Sequence, residues 1–174
     1  MNIALMAHDN KKELMVQFCT AYCGILAKHT LCATARTGQQ IAEATGLTIH
    51  RFLSFAHGGG QQIAARIAYN EIDMVLCFGD PNQKTADEDV TYISRLCDQN
   101  NIPFASNLAT AEMLVLGLDQ GYLDWRDIVN PKSKPFTPKT PLTTGGKSHR
   151  IKDDRVESAG VTRTTPPAER CAAG

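Results

Sequence analysis

Four short polar stretches in this 174-residue chain each follow an apolar run and lead into a helical pattern. The first is His8-Asp9. A histidine beside a carboxylate can trade a proton with a ligand, or the carboxylate can accept hydrogen bonds from the amides that start the next helix. Both readings stand on the residues alone. Lys12, one turn further, is placed either to reach a phosphate or to stay solvated. The second stretch, Thr34-Ala35-Arg36-Thr37-Gly38, offers hydroxyls, free amides and a guanidinium, which suit an anion at a helix start; a threonine cap with an exposed arginine is the plainer alternative. The third, Ser54 to Gln62, reads S-F-A-H-G-G-G-Q-Q, and Gly58, Gly59 and Gly60 permit tight turning and close backbone approach or simply a flexible loop. Two such loops facing one crevice favour a phosphate site. The fourth runs from Gly79 to Asp89. Asp80 ends the most apolar strand and is its best functional candidate. Asp87, Glu88 and Asp89 open a helix, where acidic residues are favoured whatever the function. Arg66 reads as structural.

The elements that must position these residues alternate along the chain. Apolar runs predict strands over Asn2–Ala7, Leu31–Thr34, Thr48–Leu53, Ile72–Phe78 and Ile102–Ala105. Helical spacing predicts helices over Lys11–Lys28, Thr37–Thr45, Gln61–Asn70, Glu88–Asn100 and Thr110–Leu118, with one more turn over Asp124–Val129. Gly46 is the expected stop of the second helix. Such alternation predicts a single three-layer α/β/α domain around a mostly parallel, five-stranded sheet. Sheets of this kind bind ligands beyond the carboxyl ends of their strands, which is where all four polar stretches fall.

Bulk properties narrow the partners. Lys+Arg and Asp+Glu are both 18, so the formal net charge is zero and no global field draws nucleic acid or an anionic membrane. An anion site must be local. The apolar start, Met1–Ala7, is short, lacks a basic lead-in and is broken by His8-Asp9, which argues against a signal peptide. No apolar run has the length of a membrane span. Five of the six cysteines (Cys19, Cys23, Cys32, Cys77, Cys97) lie in predicted strands or helices, and Cys171 lies outside them. Buried reduced thiols in a cytoplasmic protein account for them. Cys19 and Cys23 can share a helix face, but no further ligands at metal-binding spacing accompany them. No metal or cofactor is implied.

Composition shifts after Asn130. Residues 131–174 hold six of the eight prolines, many Lys, Arg and Thr, and few large apolar residues. That segment is expected to be a disordered tail on a domain of residues 1–130, because it offers too little apolar surface to offset its ordering entropy. Gly145-Gly146-Lys147-Ser148 looks like the end of a phosphate-binding P-loop, but Pro141 occupies the upstream glycine position and no strand precedes it.

Several stretches, in order and over residues 1–131, resemble the methylglyoxal synthase family: Asn2 to Asp9, Thr37-Gly38, Glu43 to Gly46, Gly58-Gly59 with Gln61-Gln62, Ile72-Asp73, Asp80-Pro81, Ile102-Pro103 and Ser106 to Ala111. The resemblance implies a flavodoxin-like layout, a homohexamer, and conversion of dihydroxyacetone phosphate to methylglyoxal and phosphate. In that reaction a base removes a proton beside the carbonyl, donors stabilise the enediolate, and phosphate leaves. Related domains serve as allosteric ligand modules in carbamoyl phosphate synthetase. Matched by position, His8, Asp9, Asp80 and Asp89 correspond to family site residues and are the catalytic candidates. Lys12, Thr34, Thr37 and Ser54 also match, and with Arg36 and Phe55 they make up the expected substrate and phosphate pocket.

The departures sit in the same loops. Gly60 stands where the family has its catalytic aspartate. Ala86 falls at the site histidine, after a one-residue deletion. Phe55 replaces a glycine whose amide lines the phosphate pocket, Arg36 replaces a threonine and Ala35 a glycine. The family's C-terminal active-site arginine has no assigned counterpart. Loss of one acid–base group costs roughly 10²–10⁴-fold in rate, with His57 and Asp9 as the available substitutes. Three functions follow: a weakened or altered lyase acting on a small phosphorylated metabolite, a non-catalytic module that binds one, or a structural subunit of a hexamer.

Overall fold

The computed structural model of the chain describes residues 1–80, 82 and 88–129. Expectations for Pro81, Ala86, Asp87 and the segment 131–174 fall outside those residues. Five strands form one sheet: β1 (Asn2–Ala7), β2 (Thr30–Ala33), β3 (Ile49–Arg51), β4 (Met74–Phe78) and β5 (Phe104–Ala105). Their order across the sheet is β3-β2-β1-β4-β5, and every neighbouring pair is parallel. The three-layer, flavodoxin-like layout expected from the sequence is thus present, with an entirely parallel sheet. Ile3 lies opposite both Leu31 of β2 and Met74 of β4, so β1 is central and buried on both faces.

The helices are α1 (Lys12–Ala21), α2 (Cys23–Leu26), α3 (Ala35–Thr45), α4 (Gly59–Ala68), α5 (Glu88–Gln99), α6 (Leu108–Asp119) and α7 (Trp125–Val129). Strand parity sorts their contacts. Ile3, Leu5 and Ala7 point to one core, shared with Met15 and Phe18 of α1, Ile41 of α3 and Val115 of α6. Ala4 and Met6 point to the other, shared with Ile63 and Ile67 of α4 and Ile93 and Cys97 of α5. That is the two-sided burial that a parallel strand requires.

The single helix predicted over Lys11–Lys28 is broken at Tyr22 (φ −103°, ψ 18°), which separates α1 from α2. Thr20, Tyr22, Cys23 and Gly24 form a run of weaker helix formers, and the Tyr22 ring leans on Phe18, with centroids 4.8 Å apart. Helix α3 starts two residues earlier than expected. Thr34 becomes its N-cap and Arg36 enters its first turn. Gly46 ends it in the left-handed conformation (φ 72°), as the sequence suggested.

At the amino end of β4, Arg126 from α7 is 2% exposed and faces Asp73 at 3.9 Å. It also donates to the Asn101 carbonyl. Asp73 Oδ2 accepts from the backbone amide of Asn2 at 2.7 Å, which ties this pair to the start of β1.

Candidate functional site

Sheet order reverses direction between β1 and β4. His8 and Asp9 after β1 and Gly79 and Asp80 after β4 lie at this point, where open α/β sheets place their ligand crevices. His8 stays attached to the sheet through its amide, which donates to the Phe78 carbonyl at 2.9 Å. Above this point opens a cleft of about 580 Å³. Its walls come from the ends of β1 and β4, the starts of α1 and α3, the Ser54–Ala56 turn, and Val90 and Thr91 in the first turn of α5.

His8, Asp9, Lys12, Thr34, Arg36, Ser54, Phe55 and Asp80 all line that cleft. Two predicted residues do not. Thr37 is 1% exposed and lies behind Thr34, whose hydroxyl donates to it at 3.2 Å. Asp89 is half-buried outside the cleft wall, and the Gln61 side-chain amide donates to both of its oxygens at 2.9 Å. Val90 and Thr91 were not singled out in the sequence. They follow an acidic helix start and carry no motif that separates them from ordinary helix residues.

On the β1–β4 side, His8 rather than Asp9 caps the short turn Asp9–Lys11, with its Nδ1 facing the Asn10 amide at 3.4 Å. Asp9 instead accepts from the Lys12 ammonium, and that bond holds its carboxyl below the usual carboxylate range. Asp80 accepts from the Asn82 amide and from Asn10 Nδ2, each at 2.9 Å, and these two bonds likewise lower its pKa. His8 Nδ1 lies 3.8 Å from Asp80. Both carboxylates are therefore already engaged as charged acceptors.

Further donors line the same cleft. The Lys12 side chain, at the start of α1 and paired with Asp9, is only 14% exposed. Arg36 is exposed in the first turn of α3, where amides lack carbonyl partners within the helix. Thr34 and Ser54 add hydroxyls. Ser54 Oγ also lies 2.6 Å from His57 Nδ1. Two glycines shape the turn between Ser54 and α4. Gly58 is left-handed (φ 91°), and a Cβ on Gly59 would stand 2.0 Å from the Leu53 carbonyl oxygen, so only glycine fits there. Gly60 differs: a Cβ there would point at Asp89 Oδ2 (2.9 Å) and at Phe55 Cε1 (3.1 Å).

The family model for the MGS-like domain matches residues 14–106. Methylglyoxal synthase of Caldicellulosiruptor saccharolyticus is 60% identical over 133 residues, which cover 76% of this chain and 94% of that protein. The chain belongs to the methylglyoxal synthase family. The methylglyoxal synthase of Listeria monocytogenes is 54% identical over 129 residues, with 74% and 96% of the two chains covered. That of Geobacillus thermodenitrificans is 50% identical over 135 residues, with 77% and 94% covered. Among solved structures, methylglyoxal synthase from Elizabethkingia anophelis superposes with a TM-score of 0.62 at 41% identity. The match covers 66% of this chain and 76% of that one. The matches to methylglyoxal synthases span 129 to 135 residues, about three quarters of this chain.

Among the described residues, no cluster of histidine, cysteine, aspartate and glutamate is arranged to hold a metal ion. No helix among them is long and apolar enough to cross a membrane.

Proposed function

We propose that the cleft binds a small phosphorylated carbonyl compound such as dihydroxyacetone phosphate, and that elimination of its phosphate to give methylglyoxal is weak or lost. One observation carries this reading: Lys12, Thr34, Arg36 and Ser54 converge on one cleft beside a helix start that has no acid–base group at Gly60. The anion can sit against the first-turn amides of α3 with Lys12 and Arg36 flanking it. His8 then faces the carbonyl end as a donor. Proton removal beside the carbonyl needs an acceptor in reach. Asp9 and Asp80 are tied to Lys12 and to Asn10 and Asn82, while Asp89 is held by Gln61 away from the cleft. Relatives named methylglyoxal synthase support the substrate class, and the retained donors support binding over turnover.

The protein acts in this reading as a cytoplasmic, homohexameric ligand-binding member of the family, with residues 131–174 as an accessory tail. Exposed apolar residues on α6 and α7, Met113, Leu116, Trp125 and Ile128, favour subunit contacts as a further role. Neither nucleic acid nor membrane is a partner. A steady-state assay with dihydroxyacetone phosphate, read as methylglyoxal formed, tests the chemistry. Turnover at the rate of the active relatives would sink the weakened-lyase reading. Absence of any thermal shift at millimolar phosphate would sink the binding reading.

A further inference from the structure

We infer that Phe55, admitted by the missing side chain at Gly60, turns the cleft toward phosphate monoesters that carry an apolar organic group. This preference rests on the anion rim of the proposed function and goes beyond that reading in the organic group the cleft favours.

The ring and a side chain at residue 60 compete for one space. A Cβ at Gly60 would approach Phe55 Cε1 to 3.1 Å and Asp89 Oδ2 to 2.9 Å, closer than packed atoms settle without displacement. With glycine there, Phe55 lies half-buried against the α4–α5 core and still forms part of the cleft wall. Val90 of α5 packs on the same core and faces the same cleft, and Phe78 continues the wall at the end of β4. The cleft is thus divided. One rim offers Lys12, Arg36 and hydroxyls to an anion, and the wall formed by Phe55, Val90 and Phe78 offers carbon.

A triose phosphate presents hydroxyl and carbonyl groups beyond its phosphate. Placed against Phe55 and Val90 they would give up water without a replacement partner. An alkyl or aryl ester in the same place gains by burial instead. The volume of about 580 Å³ suits this larger body, being well within the range of sites for ordinary small-molecule ligands.

Calorimetric titration of the full chain tests the preference with inorganic phosphate, dihydroxyacetone phosphate, and methyl, butyl, hexyl and phenyl phosphate. Inorganic phosphate is expected to bind. Each methylene added between methyl and butyl phosphate should tighten binding about fourfold, the ratio that burial of one methylene gives. Butyl phosphate should outbind dihydroxyacetone phosphate by at least about tenfold. Phe55→Gly should collapse the butyl-to-inorganic affinity ratio toward unity, and Phe55→Leu should keep most of it, so that a folding defect in one variant does not decide the matter. A flat series over a chain that binds inorganic phosphate would overturn the preference while leaving the anion site intact. Failure of every phosphate, inorganic and esterified, would overturn the anion site and the preference together.

Discussion

Arg36 is exposed in the first turn of α3 and lines the cleft, where its guanidinium can meet a phosphate. Arg36→Ala is expected to weaken phosphate binding about tenfold, the worth of one hydrogen bond to a charged group, measured as a smaller phosphate-induced rise in melting temperature. Gly60→Asp has a different outlook. Its carboxylate would be driven against Phe55 and Asp89, and two carboxylates so close resist sharing charge. The single variant should recover little methylglyoxal formation. Gly60→Asp with Phe55→Gly should exceed it by about tenfold or more, a part of the roughly 10²–10⁴-fold that one acid–base group contributes. Equal rates for the single and double variants would show that the ring does not obstruct the position. The loops themselves were legible in the sequence, since polar and glycine residues after apolar runs mark strand ends. Which side chains turn into the cleft was not. Thr34 and Thr37 are alike in type and three residues apart, yet only the first faces the cleft, because Thr37 is buried behind it and its hydroxyl accepts from Thr34. The claim of Phe55 on the space at Gly60 is likewise a tertiary fact that no local pattern encodes.

At the scale of elements, α7 shows how a short charged helix can be a structural bolt. From the sequence, Asp124–Val129 is expected only to form one more helical turn, and nothing in it singles out Arg126. Folded, Arg126 is almost fully buried beside Asp73, which is bonded to the start of β1. Arg126→Ala should destabilise the domain by roughly 3 kcal/mol or more, since it leaves a buried carboxylate without its cation; urea unfolding monitored by circular dichroism measures this. The cysteines give a second check on the layers. Burial pushes the thiols of Cys19, Cys32 and Cys97 up to about 12, so each stays protonated and unreactive at pH 8. Cys23, only half-buried at the start of α2, should alkylate faster than these three in the native protein, and the difference should vanish on unfolding. Mass spectrometry of iodoacetamide-treated protein reads the order directly. Element types were legible because burial follows strand parity and helical spacing. The break at Tyr22 was not, since the apolar spacing runs through it unbroken.

For the whole molecule, the proposed division places everything needed for folding before residue 131. A chain ending near Pro131 is expected to stay soluble and to melt within about 3 °C of the full-length protein, the shift that ~1 kcal/mol gives a domain of this size. A larger loss would mean that the tail packs on the domain or on a neighbouring subunit. Truncation before α7 should fail, because it removes Arg126 from Asp73.

The central place of β1 also has a consequence for how the chain comes into being. Its partner β2 follows soon after it in the chain, but its other partner, β4, begins only at Met74. On a ribosome making ~5–20 residues per second, several seconds separate the two. Through that interval a nascent β-α-β-α-β half can assemble, yet one edge of its most apolar strand has no neighbour. An unpaired edge of that kind invites pairing with other chains. Pauses in synthesis between residues 8 and 74 should therefore lower the soluble yield more than pauses placed after β4 has emerged.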